Sequence, residues 1–496
     1  MKKLLYGIFY GLSLTYIAVD IYGIEKLKGL VNFEKLGRQI TALKSMNREY
    51  KNGDWREMYA YEVGKQAFIY GYPAVYYANL RFRFVEKPEG AISMGVNELF
   101  SNRSPATYEN KFGGSPNRDT PYSMAFIDLT NDAAIFTMPK NPDGRYMNLQ
   151  CSEFYSDVYG YITQLNHADI SGDYLIIGPN FKGDTTGYKG VLKSPTNWTF
   201  IIARTFTDAT EADLKICHAI QNGYKLTMLS EKGKIPTTKK RDVLDVLDGK
   251  VDPLNALKTM NAAMIENPPT ARDDALMNLY ALVGLGSKGS KKLDTLDEST
   301  KKGLRRAVVD AMGLLENTSV KYGSITNNNK IVNQWIWAPT NWGRMAQTSD
   351  FLGRAATQCM VGIVEHWAEE ATKLRTFNDG KGNSLNGKNK YRIHFGKNQI
   401  PHPKAFWSIT AYNDKYNLIE TDAKIYALGS YTNSMKYNAD GSLDIYLQAE
   451  KTNADKAKNW ISVKYGDDFN LFFRAYLPEK SWINQSYICP AVERVD

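Results

Sequence analysis

The chain of 496 residues has only four cysteines and five histidines, and each scarcity removes a class of function. Cys151, Cys217, Cys359 and Cys489 stand far apart, with no Cys-x-x-Cys pair and no Cys/His cluster at ligand spacing, so a structural zinc site is not expected. So few thiols in so long a chain are more commonly free and buried than bridged. His394 and His402 come without a third ligand at a telling spacing, and no metal is assigned. The chain also lacks a Gly-x-Ser-x-Gly elbow, a His-Glu-x-x-His pair, a Walker loop and a Gly-x-Gly-x-x-Gly turn after a strand, which sets aside the common serine-hydrolase, zinc-protease and nucleotide-binding classes. No cofactor is identified. The charge is not strongly of one sign: 62 Lys and Arg face 53 Asp and Glu, a net +9. Without a basic face interleaved with aromatics or a recognisable module, nucleic acid is not an expected partner. There is no repeat of fixed period and no long low-complexity segment.

What is present is a globular composition, 43% hydrophobic and 23% charged with 32 Tyr, in a chain long enough for about three units of ordinary domain size. One long apolar run stands out. Lys2 and Lys3 precede an uncharged stretch from Leu4 to Val19, the charged-then-apolar layout of an export signal. No small-x-small cleavage pattern follows it, so residues 1–24 are expected to be a signal anchor or signal peptide, with Asp20 near the far interface if the run spans. The body would then be membrane-anchored or exported, on the periplasmic or extracellular side.

Periodicity divides the rest. Residues 25–93 read as a helical lead-in, whose clearest helix, from Asn47 to Tyr70, is expected to stop at Gly71-Tyr72-Pro73. Over 94–208, short apolar or alternating runs separated by Gly, Pro, Asn and Asp predict a β-sandwich. Residues 209–389 return to helical spacing, including FLGRAATQCMVGIVEHWAEEATKL, and predict a helical middle unit. Residues 390–496 read as a second β-sandwich or jelly roll, with Asn-Ala-Asp-Gly at 438 to 441 as a hairpin turn. The fold class expected is a multidomain α+β protein.

The best candidate site is the segment from 117 to 123, Asn-Arg-Asp-Thr-Pro-Tyr-Ser, which delivers an amide, a guanidinium, a carboxylate and a phenol at the edge of an apolar scaffold. Asp119 is the candidate catalytic acid or base, held ionised by Arg118, Arg145 or Arg204. Arg145 and Arg204 lie in strand-like text, where an inward guanidinium needs a partner. Tyr122 and Tyr146 can donate hydrogen bonds or stack on a sugar ring. With Asn117 and Trp407 they are expected to line a groove between the two sandwiches. The bland alternatives are Asx turns at Asn117 and Asp119, a structural Asp–Arg bridge, and aromatic packing. The function expected is binding of a polar or carbohydrate-like small molecule. Two rivals stand beside it: a hydrolase or lyase with Asp119 as general base, and an envelope or capsid-type assembly protein. Oligomeric state is not legible.

Ten motifs in order carry a resemblance: NRDTPYS at 117–123, RY at 145–146, IIGP at 176–179, IIART at 201–205, FLGRAATQCMVGI at 351–363, DGKGNSLNGKNKYRIHF at 379–395, AFWSITAYN at 405–413, NADGSLDIY at 438–446, NW at 459–460 and RAYLP at 474–478. Together they resemble the paired domains of unknown function 1254 and 1214. That resemblance implies an N-terminal helical region, an immunoglobulin-like β-sandwich carrying NRDTPYS, a helical insert and a C-terminal jelly-roll-like sandwich. One departure is visible: Glu153 stands where the family tends to show an aspartate, and the Gly and Arg-containing stretch after it is absent.

Overall fold

The structure is a computed structural model, and it describes residues 53–86, 92–110, 114–233, 243–321, 330–360, 362, 364–454 and 456–495. The apolar run at 4–24 lies outside the described residues. Among the described residues no helix is long and apolar enough to cross a membrane.

Two β-sandwiches and a helical unit make up the fold, in the architecture expected. The first sandwich contains β1 (Phe100–Ser101), β2 (Tyr122–Asp128), β3 (Ala134–Met138), β4 (Met147–Glu153), β5 (Val158–Thr163), β6 (Gly172–Ile177), β7 (Gly190–Lys193), β8 (Trp198–Thr205) and β9 (Lys225–Met228). They form a five-stranded sheet in the order β1-β2-β8-β4-β5 and a four-stranded sheet in the order β7-β6-β3-β9. The sandwich therefore runs past residue 208, the boundary expected from periodicity. Helix α2 (Glu211–Gly223), capped by Thr210, feeds back into edge strand β9. The second sandwich contains β10 (Ile331–Val332), β11 (Trp335–Trp337), β12 (Ala371–Thr376), β13 (Lys390–Phe395), β14 (Phe406–Asn413), β15 (Ala427–Gly429), β16 (Leu443–Gln448), β17 (Trp460–Ser462), β18 (Phe469–Tyr476) and β19 (Val492–Val495). Its sheets run β10-β11-β12-β18-β14-β15 and β17-β16-β13-β19. Three of these strands precede residue 390, so the helical middle ends far earlier than expected. The stretch read there as one long helix is a helical turn at Phe351–Gly353, a π-helix at Arg354–Cys359, a loop and then strand β12. The turn at 438–441 forms, with Gly441 at φ +83, but it leads into β16 without joining two neighbouring strands.

The helical unit is built from α1 (Trp55–Val85), α3 (Pro253–Glu266), α4 (Asp274–Ala281) and α5 (Glu298–Lys321). Helix α1 does not stop at Pro73 but runs through it. Local propensity is overridden by burial: Phe68, Tyr70, Ala74, Tyr77 and Ala78 are all sealed in the core. The carbonyl of Tyr70, one turn before the proline, accepts a hydrogen bond from Arg354 Nη2 at 2.7 Å. Helices α1 and α5 approach at glycines, since a Cβ on Gly303 would stand 2.1 Å from the Glu57 carbonyl oxygen.

Strand alternation decides which layers meet. In β8, Ile201 and Ala203 face the four-stranded sheet and form the core of the first sandwich with Leu149, Phe136 and Ile176. Phe200 and Ile202 face the other way and pack with Met124 and Phe126 against α1. Tyr77 of α1 meets Phe126, Phe154 and Phe200 edge-on at 6.5, 6.0 and 6.0 Å. Beyond the end of α1, the same outer face of the sheet meets the second sandwich, through Tyr146, Phe406, Tyr476 and Leu477. The candidate site lies at this three-way junction.

Candidate functional site

The NRDTPYS segment folds as an Asx turn: Asn117 Oδ1 accepts the Asp119 N–H at 2.8 Å. Pro121 then introduces β2, at a strand end where a missing N–H is harmless. The turn buries Asp119 at 1% exposure between the two sandwiches. Ser408 Oγ of β14 donates to one carboxylate oxygen at 2.5 Å and Tyr431 Oη to the other at 2.7 Å. Asp119 thus clasps the second sandwich to the first, and both its oxygens are engaged. A general-base role would require one of them to be released, and Asp119 is not among the residues that line the adjoining cavity.

A second clasp lies nearby. Glu370, just before β12, is fully buried and accepts from Tyr146 Oη at 2.6 Å, Asn148 Nδ2 at 2.6 Å and Thr163 Oγ1 at 2.5 Å. Burial raises its carboxyl above the ordinary range, opposed by those hydrogen bonds.

Beside the clasps is a cavity of about 730 Å3, the size of a small-molecule site. Asn117, Thr120 and Tyr122 reach it from the turn and β2, Arg204 from β8, Lys373 from β12, and Arg474 and Tyr476 from β18. Tyr122 and Arg204 are directly paired across β2 and β8, and the guanidinium lies over the phenol ring at 5.4 Å. Asn117 Nδ2 donates to Tyr476 Oη at 2.6 Å, which fixes the turn against β18. Lys373 and Arg474 are directly opposite one another across β12 and β18. Like charges so placed repel, so the sheet carries them at a cost.

The cations differ in how they are answered. Lys373 Nζ contacts both oxygens of Glu365 at 3.0 and 3.1 Å and lies 4.5 Å over the Trp342 ring. Burial pushes its ammonium below the ordinary range, with Glu365 opposing and Arg474 reinforcing the shift. Arg204, 3% exposed, donates from Nη1 to the side-chain oxygen of Gln150 at 2.6 Å. Arg474, 7% exposed, donates to the Ser115 carbonyl at 3.2 Å and to Thr410 Oγ1 at 3.4 Å. Neither arginine makes an ion pair with a carboxylate of the described residues. His366 completes this wall, stacked on Tyr161 with Nδ1 3.3 Å from its hydroxyl. Burial, and then the fields of Arg204 and Lys373, drive the imidazole well below its ordinary range, so it stays neutral at pH 7.

Of the residues singled out in the sequence, the structure brings Asn117, Tyr122 and Arg204 to the cavity. The others lie elsewhere. Arg118 donates to the Ala106 carbonyl at 2.8 Å and covers the Tyr426 ring. Arg145 is saturated by Asp143, Asp213 and the Phe206 carbonyl. Tyr146 belongs to the Glu370 clasp. Trp407 is core, at 1% exposure against Phe473 and Phe395. Glu153 accepts the N–H groups of Tyr155 and Asp157 in a buried cluster with Asp157 and Arg354, away from the cavity. The residues missed are Lys373, Arg474, Tyr476, Glu365 and His366. Arg474 and Tyr476 stand inside the motif RAYLP, where the alternation of polar outer and apolar inner positions was the available signal. Among the described residues, no group of three or more His, Cys, Asp or Glu could hold a metal ion.

Comparison with known proteins bears on the fold and family. None of the curated proteins matches the chain. The crystal structure of the VPA0106 protein from Vibrio parahaemolyticus is similar at a TM-score of 0.68 and 18% identity, covering 88% of this chain and all of that one, which supports the fold. An uncharacterized protein from Burkholderia cenocepacia aligns over 87% of this chain and 88% of its own at 12% identity, with a TM-score of 0.42. The family described as Protein of unknown function (DUF1254) matches residues 96–228, and that described as Protein of unknown function (DUF1214) matches residues 370–480. The two family models match in this order, over the two sandwiches that meet at the cavity, so the chain carries a DUF1254 region followed by a DUF1214 region.

Proposed function

We propose that the protein binds a small anionic molecule in the cavity between its two sandwiches. The observation that carries this reading is the pair Arg204 and Arg474, two buried guanidinium groups that face the cavity with only neutral hydrogen-bond partners. A buried guanidinium whose direct hydrogen-bond partners are all neutral is costly, and a bound carboxylate or phosphate offsets that cost through charge-assisted, bidentate hydrogen bonds. Three nearby carboxylates are engaged elsewhere: Asp119 and Glu370 in the clasps, and Glu365 by Lys373; the exposed Glu109 also lines the cavity but makes no hydrogen bond to either arginine. A neutral saccharide is less well matched, because Trp407, the aromatic that would have been its platform, is sealed in the core.

The test is thermal stabilisation of the full-length chain by inorganic phosphate and short carboxylates against neutral saccharides, in the wild type and in Arg474→Gln. Anions are expected to raise the melting temperature of the wild type alone, with an effect that weakens as salt is added. Equal stabilisation by neutral sugars, unchanged in Arg474→Gln, would count against the reading. The run from Leu4 to Val19 behind Lys2 and Lys3 supports membrane tethering or export of this binding body. Carbonate-resistant sedimentation with membranes is the check, and recovery of the whole protein in the supernatant of intact cells' lysate would oppose a tether.

A further inference from the structure

The register of β2 and β8 grades the cavity wall from charged to apolar. Tyr122 pairs with Arg204, Met124 with Ile202 and Phe126 with Phe200, all on the outer face of the sheet. Successive same-face rows are about 6.7 Å apart, so Arg204 and Phe200 stand about 13 Å apart along one strand. Lys373 and Arg474 of the second sandwich line the same cavity as Arg204, and so do Phe84 of α1, whose ring lies 6.5 Å from that of Phe126, and Val364. The cavity is thus cationic where the sandwiches meet and apolar where it runs under the helical unit.

Resting on the anion-binding reading, we infer that the ligand is an amphipathic anion: a carboxylate or phosphate head on an unbranched apolar tail. The head sits between Arg204, Arg474 and Lys373, and the tail lies along Ile202, Met124 and Phe200 toward Phe84. A small hydrophilic anion would satisfy the arginines and leave the half-buried apolar side chains that also line the cavity, Tyr76, Ile92, Phe100 and Met360, without an apolar partner. An alkyl chain covers them and gains the transfer free energy of each methylene buried.

The experiment is calorimetric titration of the full-length chain with butyrate, hexanoate, octanoate and decanoate, then decyl phosphate and decyl glucoside, all below their critical micelle concentrations. Affinity is expected to tighten by up to roughly fourfold per added methylene, with an increasingly negative heat-capacity change. Decyl glucoside, with the same tail and a neutral head, is expected to bind at least tenfold more weakly. Whichever of decanoate and decyl phosphate binds more tightly identifies the head. Ile202→Asn should flatten the chain-length series, and Arg474→Gln should weaken every anion. Met124→Gln serves the same purpose if Ile202→Asn does not fold, and these variants correct for partition into the N-terminal segment. Binding that is independent of chain length overturns this inference and leaves the anion-binding reading standing. Equal binding of decyl glucoside and decanoate, unaltered in Arg474→Gln, or no binding of any probe, overturns both.

Discussion

Asp119 and Arg474 lie in the same inter-sandwich layer, yet the acid has a hydrogen bond to each oxygen while the base, within the field of that acid, has only neutral hydrogen-bond partners. Asp119 receives two hydroxyls from the second sandwich, and Glu370 receives three groups from the first. At these points the layer is closed and its polar groups are spent on holding the sandwiches together. Beside these points Arg204 and Arg474 carry buried charge with neutral hydrogen-bond partners and line open volume. A polar interface built only for cohesion would pair its arginines with its carboxylates. Here Asp119 and Glu370 have hydroxyl and amide partners instead, and the two arginines have no carboxylate in hydrogen-bond contact. The same contrast appears within the first sandwich, between Arg145, held by two aspartates in the turn before β4, and Arg204 of β8, held by a glutamine.

The sharpest way to break the contrast is to remove a closed junction. Asp119→Ala leaves two buried hydroxyls unpaired and takes a counter-charge from the surroundings of Arg474, and is expected to cost about 3 to 5 kcal/mol by urea denaturation. A loss below about 1 kcal/mol would mean that the clasp does not hold the sandwiches together.

A closed cluster with the opposite imbalance gives the next largest effect. Glu153 and Asp157 are buried beside Arg354, and burial, followed by repulsion from Asp157, raises the Glu153 carboxyl from 4.5 to about 8. In the sign of linkage, the folded state keeps a proton that the unfolded state releases above about pH 4.5, so this group's stabilising contribution is lost as pH rises and is gone above about 8. The expected loss between pH 5 and 8.5 is on the order of 3 kcal/mol. It is checked by denaturation across that range in wild type and Glu153→Gln, whose curve should be flatter.

The smallest effects come from exchanging the two arginines of the first sandwich. Arg145→Met strands Asp143 and Asp213 and should cost about 2 kcal/mol, whereas Arg204→Met removes an unanswered charge and should change ligand-free stability by less than about 1 kcal/mol. The order reverses for binding. Arg204→Met should abolish anion stabilisation of the melting temperature, and Arg145→Met should preserve it.

Much of this architecture was legible because it depends on local pattern. The alternation in WTFIIART and FNLFFRAY marks strands, and the order of motifs marks the two sandwiches. Pro73 misled because proline stops a helix only where burial does not compel it to continue. Strand β12 was hidden because ATKLRT continues a helical spacing in the preceding text, and six residues are too few to assert period two against it. In the site, Arg204 and Tyr122 were readable as polar groups in apolar strands. Their opposite wall was not, since the pairing of Lys373 with Arg474 joins positions about a hundred residues apart through sheet register alone. Asp119 was legible as a candidate acid or base, with a structural Asp–Arg bridge as the alternative, but its actual partners Ser408 and Tyr431 give nothing away in sequence.

The most direct test of the central claim is a crystal structure of the protein soaked with ω-bromodecanoate, with the bromine located by its anomalous signal. The account predicts the carboxylate between Arg204 and Arg474 and the bromine beside Phe200 and Phe84. Bromine found only on the outer surface, or a carboxylate seated away from both arginines, would contradict it.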